Sequence, residues 1–110
     1  MMKNVICVDE SGMNRLNAEE IGKAIMATAT VDNDPNLEKM GMTQLRVSDH
    51  ALAQLVKMFK YSVMIRIAGS DDEILSMVSD APTVHKALVT VNEKWWVVDN
   101  RTGETVVTIE

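Results

Sequence analysis

The chain has 110 residues, 46% hydrophobic and 25% charged, a balance that points to an ordinary globular protein rather than a disordered or membrane one. Its net charge is −5, with eight acids against five bases in residues 1–55 and eight against six in residues 56–110, so neither half is a basic arm or an acidic tail. No two basic residues are adjacent, which argues against nucleic-acid binding through the phosphate backbone.

This length suits one domain, spanning 1–110, that buries a continuous core without disulfides or a metal. The single cysteine, Cys7, rules out an intrachain disulfide and suits a reducing compartment. Met1 to Asn4 lead into only four apolar residues before Asp9 and Glu10, too few for a signal peptide, and no run approaches membrane-spanning length. The expected location is the cytoplasm, or the host cytoplasm if the protein is virus-encoded.

Residues 3–8 read as a central strand bounded by Asp9-Glu10-Ser11-Gly12, a loop at the position where open α/β sheets often bind ligands, though it lacks a phosphate-loop lysine. Asn17 and Glu20 then form a capping box for a helix with Ile21, Ala24, Ile25 and Thr28 on one face, weakened by Gly22 by about 1 kcal/mol relative to alanine. From Thr30 to Met42 the periodicity fails and a loop is expected. A brief strand at 44–47 precedes a helix capped by Ser48, whose Leu52, Leu55, Val56 and Phe59 make a stripe at helical spacing.

Residues 62–68 alternate as a strand, with Val63, Ile65 and Ile67 on one face and Met64, Arg66 and Ala68 on the other. Ser70-Asp71-Asp72-Glu73 reads as the capping box of a third helix, with Ile74, Leu75 and Val78 buried and an end before Pro82. Three strands follow at 86–91, 94–99 and 104–109, joined by tight turns. The expected fold is α/β of the α+β type: a mixed sheet with a C-terminal antiparallel three-strand meander and about three helices, in the order β-α-(β)-α-β-α-β-β-β. Trp95 and Trp96 are adjacent on a strand and must point to opposite faces, so both faces of the sheet need cover.

No motif selects a catalytic centre. Asp32-Asn33-Asp34-Pro35-Asn36 imitates the start of a calcium loop, but the sixth position is Leu37 rather than glycine and the twelfth is Thr43 rather than glutamate. His50 and His85 lack ligand partners at metal-binding spacing, so neither a metal nor a cofactor is expected. Cys7 sits among apolar residues, where a thiol is inert.

Arg66, in the middle of an apolar strand, is the leading candidate for a ligand or partner contact, because a guanidinium is costly to bury without a carboxylate or anion beside it. Trp95, Trp96, His50 and the loop methionines Met40 and Met42 complete the candidate set. Apolarity on both faces of the C-terminal sheet favours a small non-enzymatic binding protein. It would work as a homo-oligomer, a dimer by default, on a protein partner, and would be regulatory or inhibitory in the way of many virus-encoded proteins. The alternatives are a binder of a small anionic or nucleotide-like ligand, with a pocket between the sheet and loop 30–47, and a small enzyme using the Asp49–His50 pair.

Overall fold

Among the described residues, seven strands form one mixed sheet, in the order β2-β3-β1-β5-β4-β6-β7. The computed structural model describes residues 4–67, 69, 71–82 and 93–109. The strands are β1 (Asn4–Asp9), β2 (Thr30–Val31), β3 (Met42–Val47), β4 (Tyr61–Ile67), β5 (Glu73–Ser79), β6 (Glu93–Asp99) and β7 (Thr105–Ile109). The helices are α1 (Glu10–Ala18), α2 (Glu20–Thr28), α3 (Pro35–Lys39) and α4 (Asp49–Met58). β1 and β5 run parallel, and the other neighbouring pairs are antiparallel. The α+β class and the mixed sheet agree with the sequence. None of the described helices is long and apolar enough to cross a membrane.

α4 forms as its stripe predicts: Ser48 Oγ accepts from the Ala51 amide at 3.2 Å, and Leu55 and Phe59 are buried. The Asp9-Glu10-Ser11-Gly12 segment is not a loop. Asp9 caps α1 by accepting from the Gly12 amide at 2.7 Å, and the helix runs straight out of the strand. α2 follows after one residue, with Ile25 inside and Ile21 54% exposed, so the predicted apolar face is turned by about one position. The expected loop at 30–42 contains β2 and α3, the latter started by the Asp34 cap and Pro35 in the first turn.

The largest correction concerns the predicted third helix, whose described residues form strand β5 over Glu73–Ser79 instead. Its acidic start resembles a helix cap, but Met77, Val78 and Ser79 are all buried, which is the pattern of a strand covered on both faces. Pairing with β1 on one side and β4 on the other overrides the local signal. The register slips between Val63 and Met64, leaving Ser76 unpaired opposite β4 and restoring the alternation. β6 and β7 form the predicted hairpin, and β6 has β4 as its other neighbour. The meander's first strand, at 86–91, and His85 lie outside the described residues.

Two apolar clusters flank the sheet. On the first face Ile6, Val8, Leu45, Val47 and Val78 pack under Leu16, Ile25, Ala51, Leu55 and Phe59 of the helical layer. On the second face Cys7, Met42, Val63, Met77, Trp95 and Val97 pack with Leu37 of α3. Arg15 ties the first layer to the sheet end: its guanidinium donates to Glu19 at 2.8 Å, Asp80 at 2.5 Å and the Met58 carbonyl at 3.1 Å, and lies 5.0 Å from the centre of the Phe59 ring.

Candidate functional site

The first-face cluster draws buried side chains from β1, β3 and β5 and none from β4, β6 or β7. Alternation and register put Leu75 of β5, Ser62, Met64 and Arg66 of β4, Lys94, Trp96 and Val98 of β6, and Thr105 and Thr108 of β7 on that same face. Beside α4, Ser62, Met64, Leu75, Trp96 and Val98 floor an open trough of about 580 Å³, walled by Val56, with Glu73 also lining it, and ending at Asn100, Gly103 and Thr105. A second depression of about 510 Å³ shares Met64, Glu73 and Leu75 with it and runs on under Leu52. Met64, Leu75, Trp96 and Val98 are each half-buried.

The two tryptophans therefore meet different surroundings. Trp95 is 1% exposed in the second-face core, whereas Trp96 lies half-covered on the open floor. At the strand-end side of the trough, Glu73, Arg66 and Lys94 form a row across β5, β4 and β6. Arg66 donates to Glu73 Oε1 at 2.7 Å, and its guanidinium carbon lies 5.7 Å from the centre of the Trp96 ring. The Arg66 Nε is covered and has no acceptor. The side chain as a whole is 41% exposed, so the guanidinium is not stranded in a core, and its ion pair with Glu73 contributes only about 0–1 kcal/mol.

Lys94 is exposed and makes no ion pair among the described residues. Its position directly across from Arg66 sets two like charges side by side, an arrangement that costs on the order of 0.2–1 kcal/mol. At the other end, Ser62 donates to Asn100 Oδ1 at 2.6 Å, while Asn100 donates to the Phe59 carbonyl at 2.9 Å, which fixes that rim to the end of α4.

Comparison with family models, with curated proteins and with solved structures finds no match to this chain. The reading of the site therefore rests on its own geometry.

Of the residues singled out from sequence, Trp96 lines the trough, the Arg66 guanidinium lies over its ring, and the others are elsewhere. His50 is exposed at the start of α4 and borders a separate depression with Arg15, Glu19, Ile21 and Gln54. Its neighbour Asp49 accepts from Asn4 Nδ2 at 2.9 Å. Met42 is a core residue, 2% exposed, and Met40 packs against the same cluster. The 32–36 segment spends its polar groups internally: Asp32 pairs with Arg46 at 2.7 Å, Asn33 bridges Met42 and Gln44, and Asp34 caps α3. Burial, and after it the negative charge of Asp34, pushes the Cys7 thiol above its ordinary pKa, so it stays protonated and unreactive at neutral pH.

Met64, Leu75, Lys94 and Val98 were not singled out from sequence. Alternation within each strand is legible, but the pairing of β4 with β6 that makes them one surface is not. Chemically the surface can cover an apolar group and pair with an anion beside it. Among the described residues it presents no nucleophile held against a base.

Proposed function

We propose that the protein is a small non-enzymatic binding protein that self-associates and holds a protein partner on the open half of its first face, acting as a regulator or inhibitor. The observation that carries this reading is the half-covered indole of Trp96, set among Met64, Leu75 and Val98 where, among the described residues, the first-face cluster takes no buried side chain from β4, β6 or β7. A partner laid there would complete an apolar centre anchored by an aromatic ring and rimmed by charged and amide groups, the usual anatomy of a protein interface. Cys7, a lone buried thiol, is compatible with work in the cytoplasm.

Self-association is assigned to a different element. Among the described strands β7 lies at the sheet edge; its five residues, Thr-Val-Val-Thr-Ile, carry no charge and no proline, and Val106 is 46% exposed. The opposite edge is guarded, since β2 has two residues and the Asp32–Arg46 ion pair stands over it. An unguarded edge offers unpaired amides and carbonyls to another strand, and pairing with a second copy about a two-fold axis closes the assembly. The second reading, a small anionic ligand, is supported by a trough volume of about 580 Å³ and by the exposed Lys94 paired with Arg66 on the neighbouring strand. The open length of the trough favours the larger partner.

Sedimentation velocity from low to high micromolar concentration tests the self-association. The wild type should form a dimer, and Val106→Lys, which puts a charge on the edge without touching either core, should shift it towards monomer with an unchanged melting temperature. A wild-type protein that stays monomeric throughout would remove self-association from the reading.

A further inference from the structure

We infer that residues 34–41, which carry α3, form a strap that opens on hinges at Asn33 and Gly41 while the sheet stays folded, uncovering Cys7, Met42 and Met77 on the second face. The hydrogen bonds show where it parts. Asp34 Oδ1 accepts from the Leu37 amide at 2.9 Å, and the Glu38, Met40 and Gly41 amides donate to the Asp34, Leu37 and Glu38 carbonyls, each at 3.1 Å. These bonds all lie inside the strap and travel with it. Among the described residues no hydrogen bond or ion pair joins 34–41 to a strand.

The two ends differ. Before the strap the chain is clamped to β3: the Asp32 amide donates to the Gln44 carbonyl at 2.8 Å, the Gln44 amide to Asn33 Oδ1 at 3.1 Å, and Asn33 Nδ2 to the Met42 carbonyl at 3.2 Å. At the other end Gly41 has a φ of 71°, and nothing lies within 4 Å of where a Cβ would stand, so that joint has room to turn. Between them the strap is held by packing at one point. Leu37 is buried, Met40 is half-buried beside it, and the other six residues are exposed.

Burial of one leucine side chain favours the closed form by roughly ten- to a hundredfold, whereas the fully unfolded chain is populated at about 10⁻³ or less. Opening of the strap is therefore the far commoner event. Leu37 shares its cluster with Cys7, Met42 and Met77, and among the described residues it is the one helical side chain buried there. Lifting it takes cover from Cys7, which is 7% exposed when the strap is closed. Burial, and after it the charge of Asp34, holds the thiol above its ordinary pKa. Opening wets the thiol and carries Asp34 away, so the strap governs the reactivity of Cys7 together with its access.

Pulse alkylation of the full chain with iodoacetamide, read by mass spectrometry across a urea series below the unfolding transition, tests the strap. Cys7 is the single cysteine, so one adduct reports the opening. Wild-type Cys7 should react about ten- to a hundredfold more slowly than in the unfolded chain, at a rate nearly flat in urea, since lifting a short strap exposes little surface. Leu37→Ala should raise the rate about tenfold, towards that of the unfolded chain, and keep the flat urea dependence. Because that variant also loses core packing, a second comparison uses an exposed position. Asp34→Ala, which loses the α3 cap, should react several-fold faster than Asp34→Asn, which keeps a capping oxygen without the charge. Alkylation that rises with urea as steeply as global unfolding would overturn the strap. So would a wild-type rate equal to that of the unfolded chain, or a failure of both Leu37→Ala and Asp34→Ala to react faster than their references.

Discussion

Trp95→Ala should destabilise the protein by about 3–5 kcal/mol, while the same change at the next residue should cost about 1 kcal/mol. Trp95 is 1% exposed and shares its cluster with Val63, Met77 and Val97, so its removal leaves a large cavity with little nearby to collapse into it. A domain of this size holds a margin of roughly 5–15 kcal/mol, so the first variant approaches the limit of folding and the second does not. Trp96 loses only the part of its ring that rests on Met64 and under the Arg66 guanidinium. Urea unfolding of the two variants measures both values. Equal losses would mean that the two indoles are equally buried.

Gly22→Ala should destabilise by about 2–3 kcal/mol, opposite in sign to the gain of about 1 kcal/mol that helix propensity alone predicts. A Cβ at Gly22 would lie 2.5 Å from Leu16 Cα and 2.7 Å from its carbonyl carbon, and closer still to the carbonyl oxygen. Those are backbone atoms of α1, which cannot swing aside as a flexible side chain would. α1 and α2 are separated by a single residue, Glu19, and Gly22 is buried where the second helix folds back on the first. Either the two helices separate or Leu16, fully buried in the first-face cluster, is pushed out of place. Thermal melting decides the sign. A variant as stable as the wild type would show that the two helices can shift apart at little cost.

That reversal illustrates what one sequence can and cannot show. The Ser48 cap and the stripe of α4, the alternation of β4 and the β6–β7 hairpin are local patterns, and they were legible because burial lies on one face of each element. α1 was missed because only Gly12 and Leu16 are buried on it, too few to raise a periodic signal, although Asp9 was present as its cap. β5 was misread because Asp72 and Glu73 before an apolar run suit a helix start as well as an exposed strand end. What decides is the pair of strands on either side, and that is a tertiary fact. The site was half legible for the same reason. Adjacent tryptophans on a strand require two apolar faces, but which indole is covered depends on tertiary packing, and among the described residues the buried first-face cluster reaches no further than β5. The expectation that one whole face would be left bare thus narrows to the three strands beyond it.

The most direct measurement is acrylamide quenching of the two single-tryptophan variants, Trp95→Phe and Trp96→Phe, at concentrations low enough to keep the chain monomeric. Trp96, alone in the first variant, should be quenched several-fold more efficiently than Trp95 in the second, because one indole lies on the open trough and the other is 1% exposed. Equally weak quenching of both would mean that the first face is covered within the chain, and the binding surface would be lost.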